Sequence, residues 1–408
     1  MPFFRFGAFV ACLSLAAPVA AEPGLVVTLE SVGDRVRAQN PNLAAARLRI
    51  REAQGRMNQS GRLSNPELET GFEHNTRFEE GLFEIGLNQR FPLTDRLALE
   101  KKVTATEVKA AEAEVREVER RLIAEAREGV VMILSNHQRR ILLGKQSELS
   151  GEFAKLLSEI AARGEGSLLD AGQAKLEAAS LKVQMRQLDA EETALLGRIK
   201  PLLGMYPAEA LLVSGALPEV VVPVAGVSHG ERPDFKVASL EAEAAAQGVE
   251  LEYARRQEDV EAGLFAGVER REDAPEGFET EGIVGLRFKI PLPFWNKNEG
   301  KIEEAVARAE RKDREAKALA RTIDLEVDGA RREMAEWKAL LAELGRELIP
   351  LAEEQVAGAE EAIKQGQGDI QTVFRNREKL LQLSAARLDA LREFHLARVR
   401  YEAAKGSF

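Results

Sequence analysis

The most constraining feature of this 408-residue chain is that its sequence pattern occurs twice. Each copy reads as a helix, a hairpin of two strands, a very long helix, a glycine turn and a return helix. Corresponding landmarks lie 192, 199 and 202 residues apart. They are Asn40-Pro41 and Arg232-Pro233, Phe91-Pro92-Leu93 and Ile290-Pro291-Leu292, and Gly164-Glu165-Gly166 and Gly366-Gln367-Gly368. Because a solenoid repeat has only about 20–50 residues, this spacing predicts two pseudo-equivalent halves of one architecture.

The first 21 residues have the pattern of a cleaved export signal. Arg5 precedes an apolar run from Phe6 to Ala17, and a small-residue cleavage site ends at Ala21. The one cysteine of the sequence, Cys12, lies inside this segment, so the mature chain would have no disulfide. Lipidation of Cys12 is the alternative interpretation. Either way, we expect the protein to be exported and to be stabilised by packing alone.

The composition favours long helices and excludes some partners. Charged residues make up 30% of the chain and aromatic residues only 5%, a balance typical of long helices and coiled coils. The formal net charge of -10 argues against a nucleic-acid partner. Beyond the export signal, no apolar run approaches the 18 residues or so of a spanning helix, which argues against an inner-membrane helix bundle.

Two segments, 66–93 and 259–292, change from a helical period to an alternation of period two. Apolar residues alternate with polar ones on two successive strands in each segment, as Phe83, Ile85 and Leu87 do along one of them. A strand of about ten residues is long enough to cross a hydrocarbon layer when it is tilted. The alternation also fits a half-buried sheet of a soluble protein, and the pattern alone leaves both interpretations open.

Each strand hairpin is followed by the longest helical segment of its copy, about 95–163 in the first and about 297–365 in the second. At about 1.5 Å per residue, each would reach on the order of 100 Å. Pro350 is the one proline in these two segments. Apolar residues of the second segment recur with a mean step close to 3.5, the coiled-coil period, so these helices need partner helices.

The parts together predict a duct. We divide the chain into a signal peptide (1–21), a first repeat (22–204, tip 164–170, return helix about 171–204), an extended crossover linker (205–232) and a second repeat (233–408, tip 366–372, return helix about 373–404). Four strands cannot close a membrane barrel, whose smallest form has about eight. Several chains must therefore share one barrel, and three would supply twelve strands. Long helices packed side by side would continue it as a tube.

The order and spacing of these motifs resemble the TolC-like outer-membrane efflux factors, and most of all the CzcC/CusC heavy-metal efflux branch. The resemblance covers essentially the whole mature chain. It is carried by Asn40-Pro41-Asn42-Leu43 with Arg232-Pro233-Asp234-Phe235, by the turns at 90–96 and 291–300, and by the tips at 164–171 and 366–373.

The resemblance implies a mainly α fold with a small β part. Duplicated long α-helical hairpins would form an α-barrel or coiled coil, and four amphipathic strands would contribute to a trimeric 12-stranded outer-membrane β-barrel. It also implies a homotrimer in the outer-membrane lipid of a Gram-negative cell, with a periplasmic extension. The partners that it implies are a periplasmic adaptor (membrane fusion) protein and an inner-membrane RND-type pump.

The function that the resemblance implies is a passive duct of a tripartite efflux system, and its branch suggests heavy-metal cations as the substrate. Two alternatives remain open from the sequence. The first is an outer-membrane conduit of a type I protein-secretion system. The second is a soluble periplasmic coiled-coil adaptor, although an adaptor normally carries one helical hairpin rather than two complete copies with amphipathic strands.

Two groups of candidate site residues follow from the resemblance, and a third follows from the position of aromatic residues where strands end and helices begin. Docking of the adaptor at the periplasmic tips is assigned to Gly164, Gly166, Ser167, Leu168, Gly366, Gly368 and Ile370. The candidate acidic residues of the aperture are Asp170 and Asp369, for which a helix N-terminal charge is the structural alternative. The candidate aromatic residues of the membrane interface are Phe91, Phe294 and Trp295, for which packing at a strand end is the alternative.

The sequence offers no chemistry of catalysis. The four histidines, His74, His137, His229 and His395, lack the spacing of metal ligands. A nucleophile elbow, a P-loop and a dinucleotide fingerprint are also missing from the sequence. We therefore expect no enzymatic activity, no cofactor and no resident metal.

Overall fold

A computed structural model describes residues 24–164, 166–224, 229–273, 275–365 and 367–408. The predicted signal peptide with Cys12, and Glu165 and Gly366 of the two tips, lie outside the described residues.

The elements alternate between short strands and helices of very unequal length. In chain order they are β1 (Leu25–Val27), α1 (Val32–Gln39), α2 (Pro41–Gln59), β2 (Glu67–His74), β3 (Gly81–Phe91), α3 (Arg96–Ala162), α4 (Leu168–Leu202), β4 (Leu211–Val213), a 3-10 turn (His229–Glu231), α5 (Pro233–Ala254), β5 (Val260–Asp273), β6 (Gly277–Lys289), α6 (Glu299–Glu343), a π turn (Leu344–Leu348), α7 (Ile349–Lys364) and α8 (Ile370–Lys405). The predicted fold class, mainly helical with long hairpins and four amphipathic strands, is confirmed.

The helix α3 is the longest element and runs from the strands to the first tip. Its 67 residues correspond to about 100 Å. The half nearest the strands packs against α2 and α5, as in the contacts of Ala53 with Val108 and of Thr106 with Gln247. The half nearest the tips packs against α4, where Leu143 meets Leu181 and Leu188. The second copy follows the same plan with α6 and α7 against α8.

The two strand hairpins join into one antiparallel sheet in the order β2-β3-β5-β6. The joining pair is β3 with β5, in register from Gly81 opposite Arg270 to Phe91 opposite Val260. Strands β2 and β6 are thus the two edges of the sheet. The pseudo-equivalent halves therefore contribute equally to a single four-stranded layer.

The crossover between the copies contains an element that the sequence prediction missed. Within the linker at 205–232, β4 pairs in parallel with β1, from Leu25 opposite Leu211 to Val27 opposite Val213. Both three-residue strands precede their own copy of the repeat, and they close the core formed by α1, α3 and the end of α4. The interpretation of 205–232 as only an extended linker was incomplete, because two such short strands become stable only through this long-range pairing.

The second long helix is broken where the sequence prediction makes it continuous. A π turn over Leu344–Leu348 separates α6 from α7, and the N–H of Ile349 donates to the carbonyl of Leu344. Pro350 explains the break, because its ring lacks an N–H and would clash with the carbonyl four residues earlier in a regular α-helix. Both return helices also begin three residues earlier than predicted, since Ser167 and Asp369 cap them.

Candidate functional site

The sheet presents a continuous apolar face that the chain leaves exposed. Residues opposite one another on neighbouring strands are apolar together, for example Leu68, Leu87, Leu264 and Leu286 across all four strands. Leu68 and Leu286 are each 68% exposed. A contiguous apolar face of this kind marks a surface that contacts protein or membrane.

The opposite face is polar and concave. The guanidinium of Arg287 on β6 donates to Glu84 on β3 at 2.5 Å and lies 3.3 Å from the carboxylate of Glu69 on β2. In a flat sheet the two edge strands would lie about 14 Å apart, three spacings of about 4.8 Å. The contact between Arg287 and Glu69 therefore spans the sheet from edge to edge, which favours a sheet that curves towards its polar face and is convex on its apolar face.

The predicted interface aromatics lie where the strands pass into the long helices. Phe91 ends β3, and Phe294 and Trp295 lie between β6 and α6. Their exposed fractions are 46%, 68% and 96%, and the rings of Phe294 and Trp295 meet edge to face with centroids 6.2 Å apart. The structure thus places all three on the surface, beside the strand-to-helix connections. An interfacial role for them stays a prediction.

The first tip is a tight reversal between α3 and α4. Gly164 has a positive φ of 79°, which ends α3, and its N–H donates to the carbonyl of Ala161 at 3.0 Å. The Ser167 hydroxyl accepts from the N–H of Leu169 at 3.2 Å and caps α4. Leu168, just inside the cap, is 80% exposed. The described residues of the tip therefore form a capped turn that exposes an apolar side chain.

The second tip is the reversal between α7 and α8, and it carries different side chains. The N–H of Gln367 returns to the carbonyl of Ala362 at 2.9 Å, and a Cβ on Gly368 would lie 2.6 Å from the backbone nitrogen of Ile363. Asp369 takes the place of Ser167 and accepts from the N–H of Gln371 at 3.1 Å. Glycine is therefore required here by the close approach of the backbone.

The two tips pack against each other and form one end of the molecule. Their shared core includes Phe153 and Leu157 of α3 and Phe374 of α8. The rings of Phe153 and Phe374 meet edge to face with centroids 5.7 Å apart, and the Arg377 guanidinium lies over the Phe153 ring. The side chain of Gln371 donates to Gln173 at 3.2 Å. The structure thus brings together the described residues of both predicted docking tips, although their docking role stays a prediction.

The two candidate aperture acids are not equivalent. Asp369 is the N-cap of α8, and the hydrogen bonds from the Thr372 hydroxyl and from the N–H of Gln371 lower its pKa. Asp170 lies half-buried in the first turn of α4, at the position that Thr372 occupies in the second tip. The carboxylate of Asp369 is thus already engaged within its own turn. A charge at the helix N-terminus, the alternative to an aperture role, therefore accounts for Asp369. A role for either acid at an aperture stays a prediction.

The histidines are scattered, and one of them is deeply buried. His395 of α8 is 1% exposed, and neither ring nitrogen has a hydrogen-bond partner within the described chain. Burial, together with the nearby charge of Arg398, lowers its pKa to about 4. His74 is exposed, and the His137 ring forms a hydrogen bond with Glu192 at 2.9 Å. The side chain of His229 is not among those that the structure describes. Among the described residues, no group of three or more His, Cys, Asp or Glu side chains could hold a metal ion.

Sequence reasoning missed a cluster on the concave face of the sheet. Phe265 and Arg287 both lie on this face, and the guanidinium stands 5.0 Å from the centre of the ring. Glycine and charged residues occupy neighbouring positions of this face, so neither residue stands out within its own strand. Only the pairing of the strands shows that they meet.

Within the described ranges, the helices include none that is long and apolar enough to cross a membrane.

No family model matches the sequence. The cobalt-zinc-cadmium resistance protein CzcC of Cupriavidus metallidurans is 24% identical over 385 residues, which cover 92% of this chain and 85% of that protein. The solved structure of the outer-membrane channel OprN has a TM-score of 0.77 to this chain, with 18% identity over 93% of this chain and 90% of that one. The structure of CusC has a TM-score of 0.76 with 15% identity, over 93% of this chain and 92% of that one.

These likenesses extend over almost the entire chain, so they include most of both copies. The protein therefore shares the fold of the TolC-like outer-membrane efflux factors, and the resemblance carried by its duplicated motifs is confirmed.

Proposed function

We propose that this protein is the outer-membrane channel component of a tripartite efflux system, a passive homotrimeric duct from the periplasm to the exterior. The observation that supports the proposal most is the curved sheet at the end of the long hairpins. Its convex face is apolar and exposed, as lipid contact requires, and its concave face is polar, as a water-filled interior requires.

The trimer follows from the free edges of this sheet. Strands β2 and β6 have no neighbour on their outer sides within the described chain, and an unpaired edge in a hydrocarbon layer is costly. Pairing β6 of one copy with β2 of the next removes every edge once the ring closes. Three copies would give twelve strands, the number that the family resemblance implies.

The tips are the surface for the periplasmic adaptor, which links the duct to an inner-membrane RND-type pump that supplies the energy. Leu168 and Leu169 are 80% and 79% exposed at the first tip, next to the glycine turn. Exposed apolar side chains of this kind are suited to binding a partner.

The substrates are heavy-metal cations. The support is the sequence similarity to a protein named for cobalt, zinc and cadmium resistance. A duct needs no tight binding site for its cargo, so the proposal does not depend on a cluster of metal ligands.

The assembly is tested by fractionation and by size. We expect the full-length protein in the outer-membrane fraction, extracted only with detergent and sedimenting as a trimer. A monomer released without detergent would contradict the duct and would favour the soluble coiled-coil adaptor.

The efflux role and the docking surface are tested together in a deletion strain. We expect the deletion to increase sensitivity to cobalt, zinc and cadmium, and the wild-type gene to restore resistance. Leu168→Ser should not restore it, because the tip loses apolar contact with the adaptor. Leu212→Ser is the matched control, since Leu212 is also exposed but lies on β4, far along the chain from the tips. Sensitivity to drugs with unchanged metal resistance would contradict the substrate, and normal function of Leu168→Ser would contradict the docking surface.

A further inference from the structure

The concave face of the sheet is mostly glycine at its centre, with one cluster of large side chains. Glycine occupies positions 71, 86, 263, 267 and 285 on this face. Among these glycines lies a group of larger side chains that spans all four strands, which we call the Arg287 cluster: Glu69, Glu84, Asn88, Phe265 and Arg287. The side chains of this cluster lie over Gly263 and Gly285, so they add bulk to the face at that level.

The glycines make room for the cluster. A Cβ on Gly285 would lie 2.5 Å from the Phe265 ring, so the ring lies directly over that residue. A Cβ on Gly263 would lie 1.9 Å from the side-chain oxygen of Asn88. Neither approach is possible with any other amino acid at these two positions without a shift of the cluster. Glycine at positions 263 and 285 therefore permits the observed placement of Asn88 and Phe265.

Ion pairs and hydrogen bonds hold the charged members. The Asn88 amide donates to Glu69 at 2.7 Å, and Arg287 joins Glu69 to Glu84 while its guanidinium lies above the Phe265 ring. Arg287 remains 46% exposed, so one side of its guanidinium faces water. With one arginine and two glutamates, the cluster carries one net negative charge per chain.

We propose that the Arg287 cluster is a charged constriction in the strand-built part of the conduit and that Arg287 sets the selectivity of this part between cations and anions. The inference rests on the proposed function, because the concave face lines a passage only in the closed barrel. Three copies would place three arginines and six glutamates around one level of the passage. Rings of charged side chains at a narrow level control which ions pass.

The test is ion conduction by the purified protein in planar lipid bilayers. Arg287→Gln leaves both glutamates unpaired and removes bulk, so we expect the cation-to-anion permeability ratio to rise about two-fold or more and the single-channel conductance to increase. The double substitution Glu69→Gln/Glu84→Gln leaves the arginine uncompensated and should shift the ratio in the opposite direction.

Arg271→Gln is the matched control. Arg271 lies on the same face of β5 near the end of the hairpin, is 70% exposed and pairs loosely with Glu269 at 3.7 Å, so this substitution removes the same charge away from the cluster. We expect a smaller change than for Arg287→Gln. Equal changes in the two variants, or a wild-type ratio in Arg287→Gln, would overturn the inference.

The outcome separates the inference from the function on which it rests. A wild-type protein that forms no ion-conducting channel contradicts the proposed duct itself. A wild-type channel whose selectivity the cluster substitutions leave unchanged contradicts only the constriction. If Arg287→Gln does not assemble, the double glutamine variant decides, since an unchanged ratio there contradicts the proposal equally.

Discussion

The two helical hairpins occupy corresponding places in the duplicated fold, yet they differ in continuity and in the chemistry of their tips. The first rises on α3, which is unbroken over 67 residues, and the second is interrupted by the π turn before Pro350. The first tip is capped by Ser167 and exposes two leucines. The second is capped by Asp369 and continues into Ile370, which packs on the shared core, and Gln371, which bonds to the first tip.

The two copies therefore share the helical hairpin but not the exposed side chains of its tip. Both reversals have glycine next to an N-cap residue, because a short turn between antiparallel helices needs them in both copies. The turn does not fix the exposed side chains. The first tip therefore exposes leucines, whereas Ile370 of the second tip packs on the shared core and Gln371 bonds to the first tip. We expect the first tip to provide most of the apolar contact with the adaptor.

A first contrast is expected from alanine at two corresponding glycines. A Cβ on Gly368 meets the backbone of Ala362 and Ile363, at 2.8 and 2.6 Å, whereas a Cβ on Gly166 meets a methyl group of Ile160 at 2.9 Å. Because a side chain can rotate away and a backbone cannot, Gly368→Ala should destabilise its tip by about 2–3 kcal/mol and Gly166→Ala by about 1 kcal/mol or less. Hydrogen exchange of the tip amides measures both, and the reverse order would contradict this account.

A second contrast concerns the return helices. His395 of α8 is buried without a hydrogen-bond partner in the described chain, while Thr193, at the corresponding place on α4, donates to the carbonyl of Asp189 at 2.9 Å. The pKa of His395 is about 4, against 6.5 for a free histidine. Below pH 6.5 the unfolded chain binds a proton that the folded chain does not, so His395 makes stability fall as the pH drops from 6.5 to about 4, by about 3 kcal/mol at most.

His395→Leu should therefore reduce the acid sensitivity of unfolding in that window and stabilise the protein at pH 7 by removing an unsatisfied polar group. Urea unfolding at a series of pH values, followed by circular dichroism, measures the difference from the wild type. Thr193→Val is the control, and it should leave the pH dependence unchanged. An unaltered slope between pH 6.5 and 4 in His395→Leu would show that the histidine is not buried as described.

The smallest contrast is between the two caps. Ser167→Ala should cost about 1 kcal/mol of local stability at any pH, because a hydroxyl cap does not titrate. The lowered pKa of Asp369 means that its cap is at full strength above the ordinary value of 3.8 and is lost as the pH falls below it. Hydrogen exchange at the start of α4 and α8 should thus show acid-dependent fraying of the second tip alone. Equal acid sensitivity of both tips would contradict the assignment of Asp369 as the cap.

Much of the fold could be predicted because its signals are local and repeated. The change from a period of 3.6 to a period of 2 places the strands, and Gly164 and Gly368 mark the two reversals. The parallel pairing of β1 with β4 could not be predicted, since each strand has only three residues and depends on a partner nearly 190 positions away. Pro350 was the only sequence signal of the π turn. Its effect on the helix could not be predicted, because that effect depends on the packing around it.

The candidate sites were predictable to different degrees. The glycines and capping residues of the tips have strong local backbone preferences, so the sequence predicted where the two helix reversals lie. Arg287 and Phe265 could not be recognised, because each is unremarkable within its own strand and they meet only across the joined hairpins. His395 has an ordinary position in a helix, and its burial depends on α3 and the residues that follow β1.

By itself, the sequence determined the duplication, the element types, the positions of the tips and the apolar alternation of the strands, since all of these depend on local conformational preference and on the periodicity of side chains. The tertiary structure alone decided that the two hairpins form one sheet, that this sheet curves towards its polar face, and that a charged cluster spans its four strands. These features depend on contacts between residues up to about 220 positions apart, such as Arg287 and Glu69, and such contacts are specified by the packing of whole elements rather than by any one segment.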